Sequence, residues 1–129
     1  MEKEKNGNGY VIEYYDINKL KYLLHSLDDI NEKGKDHILF EGEYLNGEKN
    51  GKGIEYNEEG KLLFEGEYRN GMEWTGKFEE YYYNGNLKFK GEYLNGKKNG
   101  EGKEFYKDNG RLEFEGEYLN GKRHGKGKE

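Results

Sequence analysis

The chain has 129 residues, which is enough for one modest domain, and 38% of them are charged, with a formal net charge of −5. This composition lies near the range typical of disordered chains, but proline is absent and the 13 Tyr and 6 Phe recur at regular intervals, which favours an ordered fold. Cysteine is absent, which excludes disulfides and thiolate metal sites, and the excess of acidic residues disfavours nucleic acid as a partner.

The N-terminal sequence and the overall hydropathy bear on location. The first residues, Met1-Glu-Lys-Glu-Lys5, lack the apolar core of a signal peptide, and no apolar run approaches the roughly 18 residues of a membrane-spanning helix. We therefore expect a cytoplasmic location. A peripheral membrane location is the alternative if the protein binds lipid.

Two segments precede the first repeat. Residues 1–9 are predicted to be disordered, and residues 10–37 are predicted to cap the domain. Within the cap, Tyr10-Val-Ile-Glu-Tyr-Tyr15 is typical of a strand, and its last three residues match Glu104-Phe-Tyr106 in a later unit. The order of elements then requires this strand to pair directly with one that starts at residue 38.

The remainder of the cap permits two interpretations. Ile17, Leu20, Leu24 and Leu27 fit one helical face, and Asp16 is suited to cap such a helix, so a short helix at about 17–28 is predicted at the end of the sheet. Residues 19–22, however, also resemble the start of a later strand.

The rest of the chain, residues 38–129, is a tandem repeat. An octet of the form Phe-x-Gly-Glu-Tyr-x-Asn-Gly occurs four times, with offsets of 24, 25 and 25 residues. The octets are Phe40–Gly47, Phe64–Gly71, Phe89–Gly96 and Phe114–Gly121. A second element, such as Gly51-Lys-Gly-Ile-Glu-Tyr56, lies between octets.

Each octet has the period of a strand. Phe64, Gly66 and Tyr68 alternate with two glutamates, and the following Asn-Gly is a strong signal for a hairpin turn. The sequence thus predicts an all-β chain of successive hairpins. The strand glycines, of which Gly66 is typical, are predicted to leave room for an aromatic ring from the next strand.

These motifs resemble the MORN repeat, a hairpin named for membrane occupation and recognition nexus. The resemblance covers residues 38–129. It implies an elongated, twisted antiparallel meander sheet and a role as a scaffold or targeting module for proteins. For some members of the family, phosphoinositide binding has been proposed, and some bacterial relatives are labelled antitoxins.

One unit departs from the pattern. The stretch from Met72 to Tyr81 carries an extra residue, and Phe78 stands where the second glycine belongs. Three consecutive tyrosines follow, and at least one of them is expected to be exposed, because alternate strand residues point to opposite faces. We predict that Trp74, Phe78, Tyr81, Tyr82 and Tyr83 bind the partner, since Trp and Tyr are common interface anchors. The competing interpretation is that Trp74 only fills the gap left by the insertion.

The sequence offers little catalytic or metal-binding chemistry. His25, His37 and His124 are scattered, and Ser26 is the only serine, so neither a metal site nor a nucleophile with its base is predicted. The regularly spaced glutamates are interpreted as a solvated outer face. We predict a non-enzymatic protein without cofactor.

The leading functional hypothesis is therefore a scaffold that binds a protein partner through an aromatic sheet face. One alternative is a module that recognises phospholipid headgroups, using Lys97, Lys98 or the basic stretch 122–126. A second alternative is an inhibitor or antitoxin that blocks one enzyme. A monomer or weak dimer is expected, because the last strand is short and carries lysines that discourage edge pairing.

Overall fold

The computed structural model describes residues 8–16 and 37–128, and these residues form a single nine-stranded sheet. The strands are β1 Gly9–Tyr14, β2 Ile38–Leu45, β3 Glu48–Tyr56, β4 Leu62–Arg69, β5 Met72–Tyr81, β6 Leu87–Leu94, β7 Lys97–Phe105, β8 Leu112–Leu119 and β9 Lys122–Lys128. Every strand pairs antiparallel with its neighbours in sequence, from β1 to β9. The prediction of an all-β meander of hairpins is confirmed.

The Asn-Gly pairs form the tight turns that the sequence predicts. The four turn asparagines have φ of 52–53°, and the glycines after them have φ of 81–86°. Positive φ at both central residues defines the two-residue turn that matches the twist of paired strands. These turns lie at Asn46-Gly47, Asn70-Gly71, Asn95-Gly96 and Asn120-Gly121.

At the N-terminus, β1 pairs directly with β2, as the order of elements predicted. The Tyr15 amide donates to the carbonyl of His37, just as the Asn57 amide donates to Lys61 in the next loop. Tyr15 and His37 are therefore joined by the same backbone hydrogen bond that closes an ordinary inter-strand loop of the repeat. The predicted helix at 17–28, its strand alternative and residues 1–7 of the predicted disordered segment lie outside the described residues; β1 begins at Gly9.

The core lies on one face of this single sheet, here called the aromatic face. Its buried rings include Phe40, Phe64, Phe89 and Phe114, all at most 3% exposed. Tyrosines two strands further along cover the first three of these rings: the Phe40 ring, for example, lies 5.1 Å from that of Tyr68, edge to face. The opposite face, here called the charged face, carries alternating glutamates and lysines such as Glu65 and Lys77. Because no second layer exists among the described residues, the rings and long side chains of neighbouring strands must themselves exclude water from the core.

The strand glycines form a column across the aromatic face, where Gly42 pairs with Gly53 and Gly53 with Gly66. Rings do lie over several of these glycines: a Cβ atom on Gly53 would be 2.7 Å from Phe40 and 2.9 Å from Tyr68. At Gly66 the prediction of a covering ring was wrong. There a Cβ atom would meet the backbone of β5, 2.2 Å from the carbonyl oxygen of Thr75.

Candidate binding groove

Three of the four octet tyrosines donate a hydrogen bond to a glutamate on the preceding strand. The distances are 2.9 Å for Tyr44 to Glu13 and 3.0 Å for Tyr68 to Glu55. Tyr118 donates to Glu104 in the same way. Burial raises the pKa of Tyr44 to about 12, with the glutamate bond as a further cause. These bonds satisfy the polar end of a ring whose body is buried.

Three of the four units also carry a cationic side chain two residues after the turn glycine. This side chain lies over the octet phenylalanine, at 4.1 to 4.5 Å from the ring centroid, where the ring quadrupole attracts positive charge. The pairs are Lys49 with Phe40, Lys98 with Phe89 and Arg123 with Phe114. Arg123 also forms an ion pair of 3.0 Å with Glu104, which holds the pKa of that carboxyl below its usual range.

The structure locates the extra residue of the irregular unit in β5, which has 10 residues where β3 and β7 have 9. In the first hairpin one residue, Lys49, both pairs with Tyr44 and accepts a hydrogen bond from the glycine of the next turn. In β5 two residues divide these roles. Glu73 pairs with Tyr68, and the carbonyl of Trp74 accepts from the Gly96 amide at 2.7 Å.

The insertion places a carboxylate where the other hairpins carry a cation. Glu73 lies beside Glu55, whose pKa is raised mainly by burial and further by hydrogen bonding and repulsion from Glu73, while Lys49 opposes the shift. Two carboxylates in contact cannot both ionise without cost. The contact between Glu55 and Glu73 is therefore electrostatically unfavourable.

Phe78 changes the packing of the same unit. It pairs with Gly91, where the equivalent strand pairs bring two glycines together. Its ring stacks on Tyr93 at 4.4 Å between centroids, and Tyr93 is only half-buried. Among the described residues Tyr93 makes no hydrogen bond to Glu80, the glutamate in the position of Glu55. At this position, stacking of Phe78 on Tyr93 thus stands in place of the Tyr–Glu hydrogen bond of the other octets.

These departures open a groove of about 470 Å³ beside the loops that follow β3 and β5. It brings together four of the five predicted binding residues. Its walls include Phe78, Tyr81, Tyr82 and Tyr83, together with Tyr15, Glu55, Glu58, Glu59, Glu73, Glu79 and Glu80. No Lys or Arg is among the described residues that line it, so the groove is both aromatic and acidic.

The three tyrosines are held differently. Tyr81 ends β5 and donates to Glu79 at 2.8 Å, whereas Tyr82 lies in the loop and donates to the carbonyl of Phe105 at 2.8 Å. Tyr83 also lies in the loop and is 89% exposed, which confirms that at least one ring is exposed. The expectation that all three belong to the strand was wrong, because β5 ends at Tyr81.

Trp74 lies apart from the groove, near the hairpin turns. Its ring packs against Gly96, where a Cβ atom would be 3.5 Å from two ring carbons, and the guanidinium of Arg69 lies 4.6 Å from the ring centroid. These contacts join two successive hairpins. They favour the interpretation that Trp74 fills the gap left by the insertion.

A second depression, of about 310 Å³, lies on the charged face. It is lined by both signs of charge, and within it Lys103 and Glu115 form an ion pair of 3.8 Å. Because its charges offset one another, it offers weaker selectivity than the acidic groove.

Comparison with protein families matches the MORN repeat at residues 40–60, 64–74, 89–111 and 114–129, more than half of the chain. The chain belongs to the MORN-repeat family. The second match stops at Trp74, where the structure places the insertion. MORN repeats commonly take part in protein–protein or membrane and lipid interactions, and the family is generally non-enzymatic. Neither the curated proteins nor the solved structures contain a match to the chain.

Within residues 8–16 and 37–128, no group of three or more His, Asp or Glu side chains is arranged to hold a metal ion. In the same part of the chain, no helix is long and apolar enough to cross a membrane.

Sequence reasoning missed the acidic half of the groove. Glu55, Glu58 and Glu73 come from different loops and strands, and only the register brings them together. One signal was available. Aligning the hairpins on their Asn-Gly turns places Glu73 where Lys49 and Lys98 stand.

Proposed function

We propose that this MORN-repeat protein is a non-enzymatic scaffold that binds a protein partner in the groove of the irregular unit. The exposed tyrosine wall of the groove carries this proposal. The octet phenylalanines of all four units are buried as core, whereas the irregular unit presents Tyr83 at 89% exposure beside an open depression. Tyrosines supply large contact area with few rotatable bonds, which suits an interface anchor.

The exposure of the other rings supports this choice of surface. Phe40, Phe64 and Phe89 are buried beneath their neighbours and offer no contact area to a partner. The broad aromatic sheet face that the sequence suggested is thus largely a core. A partner that uses aromatic contacts must bind where the rings reach the surface.

A lipid-binding role is the second candidate, favoured by one observation. Leu94 and Leu119 are about half exposed at adjacent hairpin turns, with Lys97 and Lys122 next to them. Apolar side chains flanked by lysines suit the surface of an anionic membrane. The patch is weakened because Lys98 lies over the Phe89 ring and pairs with Glu80, so its charge is already engaged.

Affinity capture with matched variants tests the scaffold proposal. The protein is immobilised, a partner is captured from cell extract and identified, and its affinity is then measured for the wild type, Tyr83→Ala and Tyr106→Ala. Tyr106 is also an exposed loop tyrosine, at 50%, but it lies outside the groove. Loss of an anchor weakens binding by about 2 kcal/mol, or about thirtyfold. We expect that loss for Tyr83→Ala alone.

The opposite results would count against the scaffold. Equal affinity of both variants and the wild type would show that the groove is not part of the interface.

Sedimentation with phosphatidylcholine vesicles containing phosphatidylinositol bisphosphate tests the lipid candidate. If Lys97→Glu abolishes cosedimentation while no protein is captured, the lipid candidate replaces the scaffold. An inhibitor or antitoxin would be one form of scaffold partnership, recognised when the captured protein is an enzyme that loses activity on binding.

A further inference from the structure

We propose that the groove selects a basic peptide segment, with a Lys or Arg side chain of the partner bound between the carboxylates of Glu55 and Glu73. This inference rests on the proposed function, because it names the chemistry of the partner that the same groove binds. It follows from comparing the irregular unit with the other units of the same chain.

The first step is the electrostatic pattern of the repeat. In the third unit Lys98 forms an ion pair with Glu80 at 3.9 Å, and in the fourth Arg123 pairs with Glu104 at 3.0 Å. Each pair joins the residue two positions after the turn glycine to the glutamate of the preceding hairpin. The same pair of positions in the second unit holds Glu73 and Glu55.

The second step is the charge of the surroundings. The groove is lined by six glutamates and, among the described residues, by no lysine or arginine. Lys98 and Lys88 both pair with Glu80, and the amine of Lys61 lies 5.2 Å from the Tyr81 ring. Lys49 lies near enough to Glu55 to oppose the rise of its pKa, and its amine also lies over the Phe40 ring, 4.5 Å from the centroid. All four lysines are thus already engaged with side chains of the protein. Within the groove, the Glu55–Glu73 contact remains a position where two negative charges meet.

The third step is the shape and the aromatic lining. Phe78, Tyr81 and Tyr83 form the walls of an open depression of about 470 Å³, which can accept side chains of an extended segment. Aromatic faces attract ammonium and guanidinium groups, as Lys107 shows over Tyr83 at 4.2 Å. Carboxylates and ring faces together are selective for a cation, and they repel the phosphates of lipid headgroups and nucleic acids.

The chain itself supplies the decisive variant. Glu73→Lys gives the second unit the cation that Lys49, Lys98 and Arg123 provide elsewhere, so the fold is expected to tolerate it. The control is Glu117→Lys, which makes the same change of charge at an exposed position on the charged face, opposite Glu101. Any effect of net charge alone is therefore common to both variants.

The probe is a fluorescein-labelled dodecapeptide with four lysines spaced by Gly, Ser and Leu, compared with a peptide in which glutamines replace the lysines. Fluorescence anisotropy is measured at low and high salt. We expect the wild type to bind the basic peptide at least about tenfold more tightly than the neutral one. Glu73→Lys should weaken binding of the basic peptide by about tenfold or more, and Glu117→Lys by less than about twofold.

Equal weakening by the two lysine variants, or equal binding of the two peptides, would overturn the proposal. Circular dichroism confirms the fold of each variant. If Glu73→Lys fails to fold, Glu73→Gln takes its place and is expected to weaken binding about threefold. A failure here is distinguishable from failure of the scaffold. A partner that is lost with Tyr83→Ala but retained with Glu73→Lys leaves the scaffold in place and rejects the basic segment.

Discussion

Replacing Gly66 by alanine tests the close packing of strands that the glycine column permits. Gly66 does not have a positive φ, so alanine meets no conformational strain there. The added methyl group would instead lie 2.2 Å from the carbonyl oxygen of Thr75 and 2.7 Å from the Cα atom of Gly76. Both neighbours are backbone atoms of β5 and cannot rotate away. The methyl group can be accommodated only if β4 and β5 separate locally.

The expected magnitude follows from two opposing terms. Overpacking of this kind costs about 1–3 kcal/mol, and the upper part of that range applies because backbone has to move. The loss of glycine's freedom in the unfolded chain returns about 0.4–1 kcal/mol. A net loss of about 1–2 kcal/mol lowers the Tm by roughly 5–10 °C for a domain of this size.

Thermal unfolding followed by circular dichroism measures this loss. The matched control is Glu67→Ala, the next residue of β4, which is exposed on the charged face. Its free energy of unfolding should change by less than about 0.5 kcal/mol. If Gly66→Ala melts at the same temperature as the wild type, the two strands do not approach as closely as described and the packing argument is wrong.

Four further outcomes are expected. Trp74→Ala should lower the free energy of unfolding by about 1–3 kcal/mol in urea titration, because its ring packs against Gly96, while partner affinity is kept. Raised pKa values, about 12 for Tyr44 and Tyr81, mean that the folded state keeps protons that the unfolded state loses near pH 10, so stability should fall above pH 10 as phenolate absorbance rises. The pKa of Glu55 is also raised in the folded state, so its contribution to stability falls as the pH rises from about 4.3 through the raised pKa. The variant Glu55→Gln does not titrate, so its stability relative to the wild type should increase across that pH interval. Light scattering at micromolar concentration should show a monomer or weak dimer, and a tight dimer would contradict the blunted edge.

The hairpin fold was predictable because local signals agree with the global arrangement. In each octet the alternation of Phe, Gly and Tyr defines one face, and Asn-Gly fixes both the turn and the register. The position of β1 followed from the order of strand types alone. A repeat offers this advantage because any unit can be checked against the others in the same chain.

The covering of the glycines was harder to predict. Whether a ring or a backbone lies over a strand glycine depends on the register with the neighbouring strand, and register changes at every bulge. Gly53 faces Phe40 and Tyr68, as expected for such a glycine, yet Gly66 faces the backbone of Thr75, and Gly42 in the first hairpin likewise faces the backbone of Lys52. The sequence shows that β5 contains an extra residue. It does not show that Glu73 then pairs with Tyr68 while the carbonyl of Trp74 accepts from the next turn glycine.

The residues of the candidate site were also only partly predictable from the sequence. Counting aromatic residues identified Phe78 and Tyr83, because three consecutive tyrosines depart visibly from the repeat. It also grouped Trp74 with them, since proximity in sequence does not reveal that Trp74 lies near the hairpin turn at one end of β5 and Tyr81 at the other end. Among the charged residues, Glu73 differs from its counterparts only in sign, and the consequence appears only when Glu55 is beside it.

The irregular unit combines three departures from the pattern of the other units. The insertion separates the pairing roles of Glu73 and Trp74, Phe78 replaces the small residue that lets strands approach, and two carboxylates meet where other units have an ion pair. The contact between the two carboxylates is unfavourable, and the third and fourth units show that the same positions can hold an ion pair. Sites that retain strain or unpaired charge are those at which binding can recover the lost free energy. A partner that supplies positive charge between Glu55 and Glu73 would restore the electrostatic pattern of the neighbouring units, so the energetic defect of the fold and the specificity of the groove have the same physical origin.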